Sequence, residues 1–166
     1  MRKIVIFIFL IIMFLCIKNN KNEVLIPDLA IRIRVIASSN DLEDQEIKSK
    51  VKNEVNNLLF SRLDNINNYK KAKEIISKSI IDVENIVNKY TNEYEVSYGE
   101  NYFPSKKYKG VKYKEGNYES LVIKLGNAKG HNFWCVLFPP LCMIDEQKLN
   151  DVSYEFYVNN LLKKIK

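Results

Sequence analysis

The sequence predicts an α+β domain: a mostly antiparallel sheet with a two-helix hairpin packed on one face, behind an N-terminal hydrophobic leader helix. Three observations predict it. A short alternating stretch comes first, two amphipathic helical stretches follow, and the rest of the body returns to alternation punctuated by glycine and proline. The chain has 166 residues, of which 46% are hydrophobic, and this suits a single domain with a buried core.

Residues 1–22 have the composition of an export signal or signal anchor. Ile4 to Ile17 form 14 uninterrupted apolar residues, with basic residues on both sides. As a helix this run is about 21 Å long, which is short for a bilayer core of roughly 30 Å. We therefore expect export of the body, residues 23–145, with a tail at 146–166 whose apolar spacing suits a further helix. Cleavage and retention of the leader both stay open.

The charge distribution argues against a nucleic-acid partner. The chain carries 26 basic and 20 acidic residues, a formal charge of +6. Four of the basic residues lie within residues 1–22, which contain no acid, so residues 23–166 carry only +2. Arginine is the better reader of phosphates and bases, yet the body has only Arg32, Arg34 and Arg62. We expect no nucleic acid among its partners.

The elements of the body follow from periodicity. Residues 29–37 alternate as a half-buried strand, and Ser38 to Asp41 supply helix-capping side chains. Helical spacing then continues to about Leu63, and a second amphipathic helix covers residues 72–90. Alternation resumes at Tyr94, which predicts a meander.

The predicted strands of this meander are residues 94–98, 109–114, 119–125 and 132–138.

Few residues in the body could carry catalysis. His131 is the only histidine of the chain, which excludes multi-histidine metal sites, and the five glycines are scattered rather than grouped in a phosphate loop. We expect no metal, no cofactor and no small-molecule substrate. A nucleophilic site would have to use His131 with Cys135 or Cys142. The same two cysteines could instead form a disulfide, or remain buried thiols, and the spacing leaves these alternatives open.

The segment from His131 to Met143 is the densest in aromatic residues and proline. It contains the only tryptophan, Trp134, and the only Pro-Pro pair, which ends a strand because proline cannot donate a ladder hydrogen bond. Such a segment is either a packed strand end or a rigid recognition surface. For the recognition surface the candidate contacts are Trp134, Phe138, Pro139, Pro140 and Leu141. Arg32 and Arg34 are additional candidates on the polar face of the first strand.

Residues 134–142 read Trp-Cys-Val-Leu-Phe-Pro-Pro-Leu-Cys, and this segment resembles the signature of the stage II sporulation protein R family. Residues 26–32 open the body as that family does, and residues 38–51 match its first turn and helix. Phe103-Pro104, residues 116–119 and residues 123–126 follow in the expected order. The resemblance covers about residues 26–143 and does not extend to the tail.

The resemblance implies a signalling protein and not an enzyme. Members of the family are exported from the forespore into the space between the two septal membranes. There they activate a membrane-embedded aspartic protease of the mother cell, which processes the precursor of sigma-E. The partner expected for this chain is therefore that protease, with membrane contact through the leader. Two alternatives remain: an exported cell-wall hydrolase using Cys135 or Cys142 with His131, and a structural protein anchored at the septum.

Overall fold

The computed structural model describes residues 24–25, 30–108, 111–143 and 160. Within these ranges the predicted α+β class is confirmed, with three helices and a four-stranded mixed sheet. The leader helix predicted at 1–22 lies outside the described residues, as does the tail at 146–166 apart from Asn160. None of the helices in the described ranges combines the length and hydropathy that crossing a bilayer requires.

In chain order the elements are β1 (Val24–Leu25), β2 (Ile31–Ile36), α1 (Leu42–Leu63), α2 (Tyr69–Lys78), α3 (Ile80–Asn88), β3 (Tyr94–Phe103), β4 (Lys106–Tyr108), β5 (Val111–Tyr113), β6 (Gly116–Leu125), β7 (Asn132–Phe138) and a 3-10 helix (Leu141–Met143).

The larger sheet has the strand order β3-β6-β2-β7. β2 pairs in parallel with β6, and its other side pairs antiparallel with β7. β3 and β6 form a long antiparallel pair, from Tyr94 opposite Leu125 to Phe103 opposite Gly116. The predicted meander is therefore interrupted, because β2 lies between β6 and β7. A separate small sheet contains β1, β5 and β4 in that order.

The second predicted helix is divided into α2 and α3 at Ser79, so the helical layer contains three helices rather than a simple hairpin. The side chain of Ser79 is fully buried at the break. Its hydroxyl donates to the carbonyl of Ile75 at 2.8 Å and accepts from Arg62 Nη1 at 2.7 Å. Arg62 also pairs with Asp82 on α3 at 2.7 Å. These bonds hold the end of α1 to the α2–α3 junction.

The hydrophobic core lies between the helices and one face of the larger sheet. α1 contributes residues at helical spacing, and β2 and β6 contribute every second residue. The fully buried members from these three elements are Val51, Val55, Leu59, Ile31, Ile33, Val35, Leu121 and Ile123. Each buried aliphatic side chain of this size contributes roughly 2 kcal/mol of transfer free energy. We call this side of the sheet the helix face and the other side the open face.

Two loops interlock at the end of the sheet where β2 leads into α1. The carbonyl of Ala37 accepts from the N–H of Gly130 at 2.9 Å, and Asn40 Oδ1 accepts from the N–H of His131 at 2.8 Å. A Cβ atom at Gly130 would lie 2.0 Å from the carbonyl oxygen of Ser39, so only glycine fits there. The close approach fixes the start of β7 against the end of β2.

Candidate recognition groove

The open face is basic and aromatic where β2 meets β7. Side chains alternate along β2, so Arg32 and Arg34 point away from the core that Ile33 enters. On β7 the residues opposite these arginines are Val136 and Trp134. The alternation predicted from the sequence thus places two cations beside the only tryptophan of the chain.

Arg32 is enclosed by aromatic rings. Its Cζ atom lies 3.5 Å from the ring centroid of Tyr118, 5.1 Å from Phe103 and 5.9 Å from Tyr113. The side chain is only 3% exposed. Nη2 donates to the carbonyl of Lys114 at 3.2 Å, whereas the buried Nε has no hydrogen-bond partner. Cation–π attraction offsets part of the cost of burying this charge.

Burial lowers the pKa of Arg32, and the nearby phenols of Tyr118 and Tyr113 act in the opposite direction. Guanidinium groups titrate so far above neutrality that Arg32 remains charged at physiological pH. The open face therefore contains a desolvated permanent cation.

Arg34 and Trp134 form a second cation–π pair. Arg34 Cζ lies 4.6 Å from the ring of Trp134, and Nε donates to Asn132 Oδ1 at 2.9 Å. The indole also meets the ring of Phe103 edge to face, with centroids 5.0 Å apart. These contacts orient the half-buried indole on the open face, where it is accessible in part to a partner.

A groove of about 410 Å³ opens beside these residues, and we call it the β7 groove. Its walls are residues 132–136 of β7, residues 103–106 at the end of β3 and the start of β4, Tyr113 and Arg32. Its lining includes two cations, Arg32 and the exposed Lys106, and no carboxylate among the described residues. A groove with aromatic walls and an unneutralised positive charge is suited to an acidic and apolar ligand.

The five contact candidates from the sequence divide into two groups. Phe138 and Leu141 are each 1% exposed, and Pro139 is also buried. Phe138 contacts the ring of Tyr69 on α2, with centroids 6.4 Å apart. For these three residues the packing interpretation therefore applies, since a partner cannot reach them in the folded protein. Trp134 and Pro140 are half-buried and stay available as contacts.

Cys135 and Cys142 are joined by a disulfide, with their Cα atoms 5.7 Å apart. The bond ties the middle of β7 to the 3-10 helix, so it closes the segment that contains Pro139 and Pro140. Neither sulfur is a free thiol in this state. His131 is exposed and lies four residues before Cys135, a distance of about 13 Å along an extended strand. The structure therefore does not assemble the His131–cysteine site considered from the sequence.

Within the described ranges no group of three or more histidine, cysteine, aspartate or glutamate residues is placed to hold a metal ion.

Sequence reasoning missed the residues that enclose Arg32. Phe103, Tyr113 and Tyr118 come from different strands and are more than 70 residues away from Arg32 in the chain. The available signal was an arginine between two isoleucines on a strand, combined with an excess of tyrosine in residues 94–118. That signal indicates a cation near aromatic rings but does not identify which rings.

Comparison with known proteins assigns the family. The family model described as stage II sporulation protein R matches residues 27–148. This chain belongs to the stage II sporulation protein R family. The resemblance noted in the sequence is thereby confirmed, and the matched range contains every described residue of the β7 groove and both bridged cysteines.

A curated relative in this family is Stage II sporulation protein R of Bacillus subtilis (strain 168). The two sequences are 36% identical over 135 residues, which cover 77% of this chain and 60% of the relative. The chain thus spans about 60% of the length of that family member. No solved structure matches the chain.

Proposed function

We propose that this protein is an exported signalling ligand that activates a membrane-embedded aspartic protease of the mother cell, which then processes the precursor of sigma-E. The observation that carries the proposal is the family match over residues 27–148. The hydrophobic run at 4–17 supports export from the forespore into the septal intermembrane space, by a leader that is either cleaved or retained as an anchor.

The mechanism is a shift of the receptor between two states. A ligand moves such an equilibrium only by binding the active state more tightly than the inactive one. The β7 groove, which Trp134 lines, supplies contacts for this selective binding. Arg34 on the open face, paired with Trp134, and Pro140 in the turn closed by the disulfide add further contacts outside the groove. No group on this protein takes part in bond breaking. The catalytic chemistry belongs to the protease.

The test is reconstitution in a non-sporulating bacterial host. The full chain, the protease and the sigma-E precursor are produced together, and precursor cleavage is followed by immunoblot. We expect cleavage only when all three are present and the hydrophobic run at 4–17 is intact. Equal cleavage without this protein, or with a version that lacks residues 1–22, would refute the proposal.

The exported hydrolase is the second candidate, and a specific observation weighs against it. Cys135 and Cys142 are both in one disulfide, so neither is available as a nucleophile without reduction. His131→Ala separates the two functions. A histidine general base contributes about 10²–10⁴-fold to a rate, so a hydrolase would lose most of its activity. The signalling ligand would activate its receptor as the unmodified protein does, because His131 does not line the groove.

A further inference from the structure

We infer that the β7 groove binds an extended segment of the partner protein through an acidic side chain of that segment, together with a large apolar side chain nearby. The inference deepens the proposed function, on which it depends only for the identity of the partner. Three features of the described residues lead to it: an incompletely satisfied buried cation, the outer edge of a strand, and aromatic walls.

The cation is Arg32. Its side chain lines the groove while 97% buried, and the buried Nε has no hydrogen-bond partner. Leaving a charged donor buried and unpaired costs more free energy than leaving a neutral one. A carboxylate in the groove would bring to this guanidinium, and to Lys106 at the rim, the anion that the lining lacks. The complementary charge is therefore negative.

The strand edge belongs to β7. It is the outermost strand of its sheet, and no described strand pairs with its other side. The carbonyl of His131 accepts from the N–H of Ala37, so this pair lies in the ladder between β2 and β7. Hydrogen-bonded and non-hydrogen-bonded pairs alternate along antiparallel strands. The backbone N–H and C=O of Trp134, three residues further along, therefore point away from β2, toward an incoming strand.

The shape of the groove favours a segment over a small molecule. Five consecutive residues of β7, 132–136, line it, so it follows a strand direction for about 13–17 Å. A partner strand added at this edge would place every second side chain over the open face. There an apolar side chain meets Phe103, Tyr113 and Trp134, and a neighbour on the same face reaches the cations. Aromatic and arginine residues of this kind dominate interface energies.

The test uses the full-length protein and the fluorescence of Trp134, which is the only tryptophan in the chain. The probes are end-blocked peptides of about ten residues, in which threonine and valine alternate around a central Phe-Thr-Glu. The first control replaces the glutamate by glutamine. The second replaces it by threonine and leaves the C-terminal carboxylate free. We expect saturable changes in Trp134 fluorescence, with at least about tenfold weaker binding after loss of the acid.

The matched protein variants are Lys106→Glu in the groove and Lys71→Glu on α2. Both lysines are exposed, so both variants should fold, and both change the net charge equally. Lys106→Glu should weaken the acidic peptide at least about tenfold, whereas Lys71→Glu should bind it as the unmodified protein does. Weaker binding in both variants would mean that the net charge of the protein, and not the position of Lys106, determines the affinity, and it would overturn the inference.

Three other results would also overturn it. The first is no fluorescence change with any peptide, and the second is equal binding of the glutamate and glutamine peptides. The third is strongest binding of the control peptide whose only carboxylate is its free C-terminus. Failure of the inference can be told from failure of the proposed function. Selective peptide binding without precursor cleavage in reconstitution refutes the function alone. Cleavage without selective peptide binding refutes the inference alone.

Discussion

The two faces of one sheet differ in what burial does for the protein. On the helix face, Ile33 and Val35 of β2 are fully buried among aliphatic side chains of the helices. On the open face Arg32, from the same strand, is 3% exposed among aromatic rings. Nearly equal burial thus has opposite effects on the free energy of folding. Removing apolar surface from water stabilises the fold, whereas removing a guanidinium from water costs free energy that the rings only partly return.

This difference indicates where stability and recognition reside. The core on the helix face is built mainly of packed aliphatic side chains, although Asn56 Oδ1 and the hydroxyl of Tyr98 are buried there without a hydrogen-bond partner. The open face contains the unpartnered Nε of Arg32 and a groove beside Trp134. Substitutions on the helix face should therefore change the free energy of unfolding, whereas removing only the charge of Arg32 on the open face should leave stability nearly unchanged.

The largest expected effect is on the helix face. Leu59→Ala should lower the free energy of unfolding by about 3 kcal/mol, because Leu59 is fully buried and truncation leaves a cavity. Leu42→Ala is the matched control at the start of the same helix, where leucine is 91% exposed. It should change stability by less than about 0.5 kcal/mol. Urea titration followed by circular dichroism measures both free energies of unfolding. Similar losses in the two variants would contradict the prediction that burial on the helix face determines the stability.

The next largest effect concerns the disulfide. Cys142→Ser should lower the free energy of unfolding by about 2–3 kcal/mol, since the bond closes a short loop in the unfolded chain. Dithiothreitol should produce the same loss in the unmodified protein and no further loss in the variant. If reductant destabilises the variant as much as the unmodified protein, the stabilisation does not come from this bond.

Two substitutions of Arg32 test whether its charge or its packing stabilises the open face. Arg32→Met keeps most of the side-chain volume and removes the buried charge, so stability should change by about 1 kcal/mol or less. Arg32→Ala leaves a cavity under Tyr118 and Phe103 and should cost about 3 kcal/mol. Chemical denaturation of both variants gives the comparison. A methionine variant as unstable as the alanine variant would mean that the charge itself stabilises the open face.

The smallest expected effect is a pH dependence at the outer surface of α1. The hydroxyl of Tyr90 donates to Glu54, and Lys89 pairs with the same carboxylate at 2.9 Å. The hydrogen bond from Tyr90, and then that from Lys89, lower the pKa of Glu54 in the folded state. Because the folded pKa lies below the unfolded one, this contribution is present at neutral pH. It is lost as the pH falls through the lowered pKa of the folded state.

The same contact raises the pKa of Tyr90, chiefly through its hydrogen bond to Glu54. That contribution is present below the ordinary tyrosine pKa and is lost as the pH rises through the raised value. Glu54→Gln should therefore flatten the stability profile slightly at both ends. Thermal unfolding from acid to alkaline pH measures this pH dependence. If the variant loses stability at acid pH as steeply as the unmodified protein does, the contact contributes nothing.

The sequence predicted those features that depend on local pattern. Alternation located β7 at residues 132–138 and placed Arg32 and Arg34 on the face opposite the core. Helical spacing predicted α1, which ends at Leu63 as expected. These features depend on neighbours within a few residues, so periodicity is sufficient to find them.

Features that depend on contacts between distant residues could not be predicted from local sequence patterns. Period-two alternation fixes which side chains share a face, but it does not fix which strands pair, so the parallel pairing of β2 with β6 was missed. The break at Ser79 depends on Arg62 from another helix. Phe138 looked like a contact residue, and its burial follows from packing against Tyr69 on α2. The resemblance predicted the family, which the comparison confirmed, but neither it nor the local pattern located the β7 groove.

The position of β2 also has a consequence for the time at which the chain can fold. β2 is central in the sheet, yet both of its partner strands lie far downstream, at Gly116–Leu125 and Asn132–Phe138. A growing chain therefore cannot complete this sheet until residue 138 has been synthesised. Contacts of such long sequence separation form slowly. Until then Ile31, Ile33 and Val35 have no partner strand, so the central strand of the sheet stays unpaired for most of the synthesis of the chain.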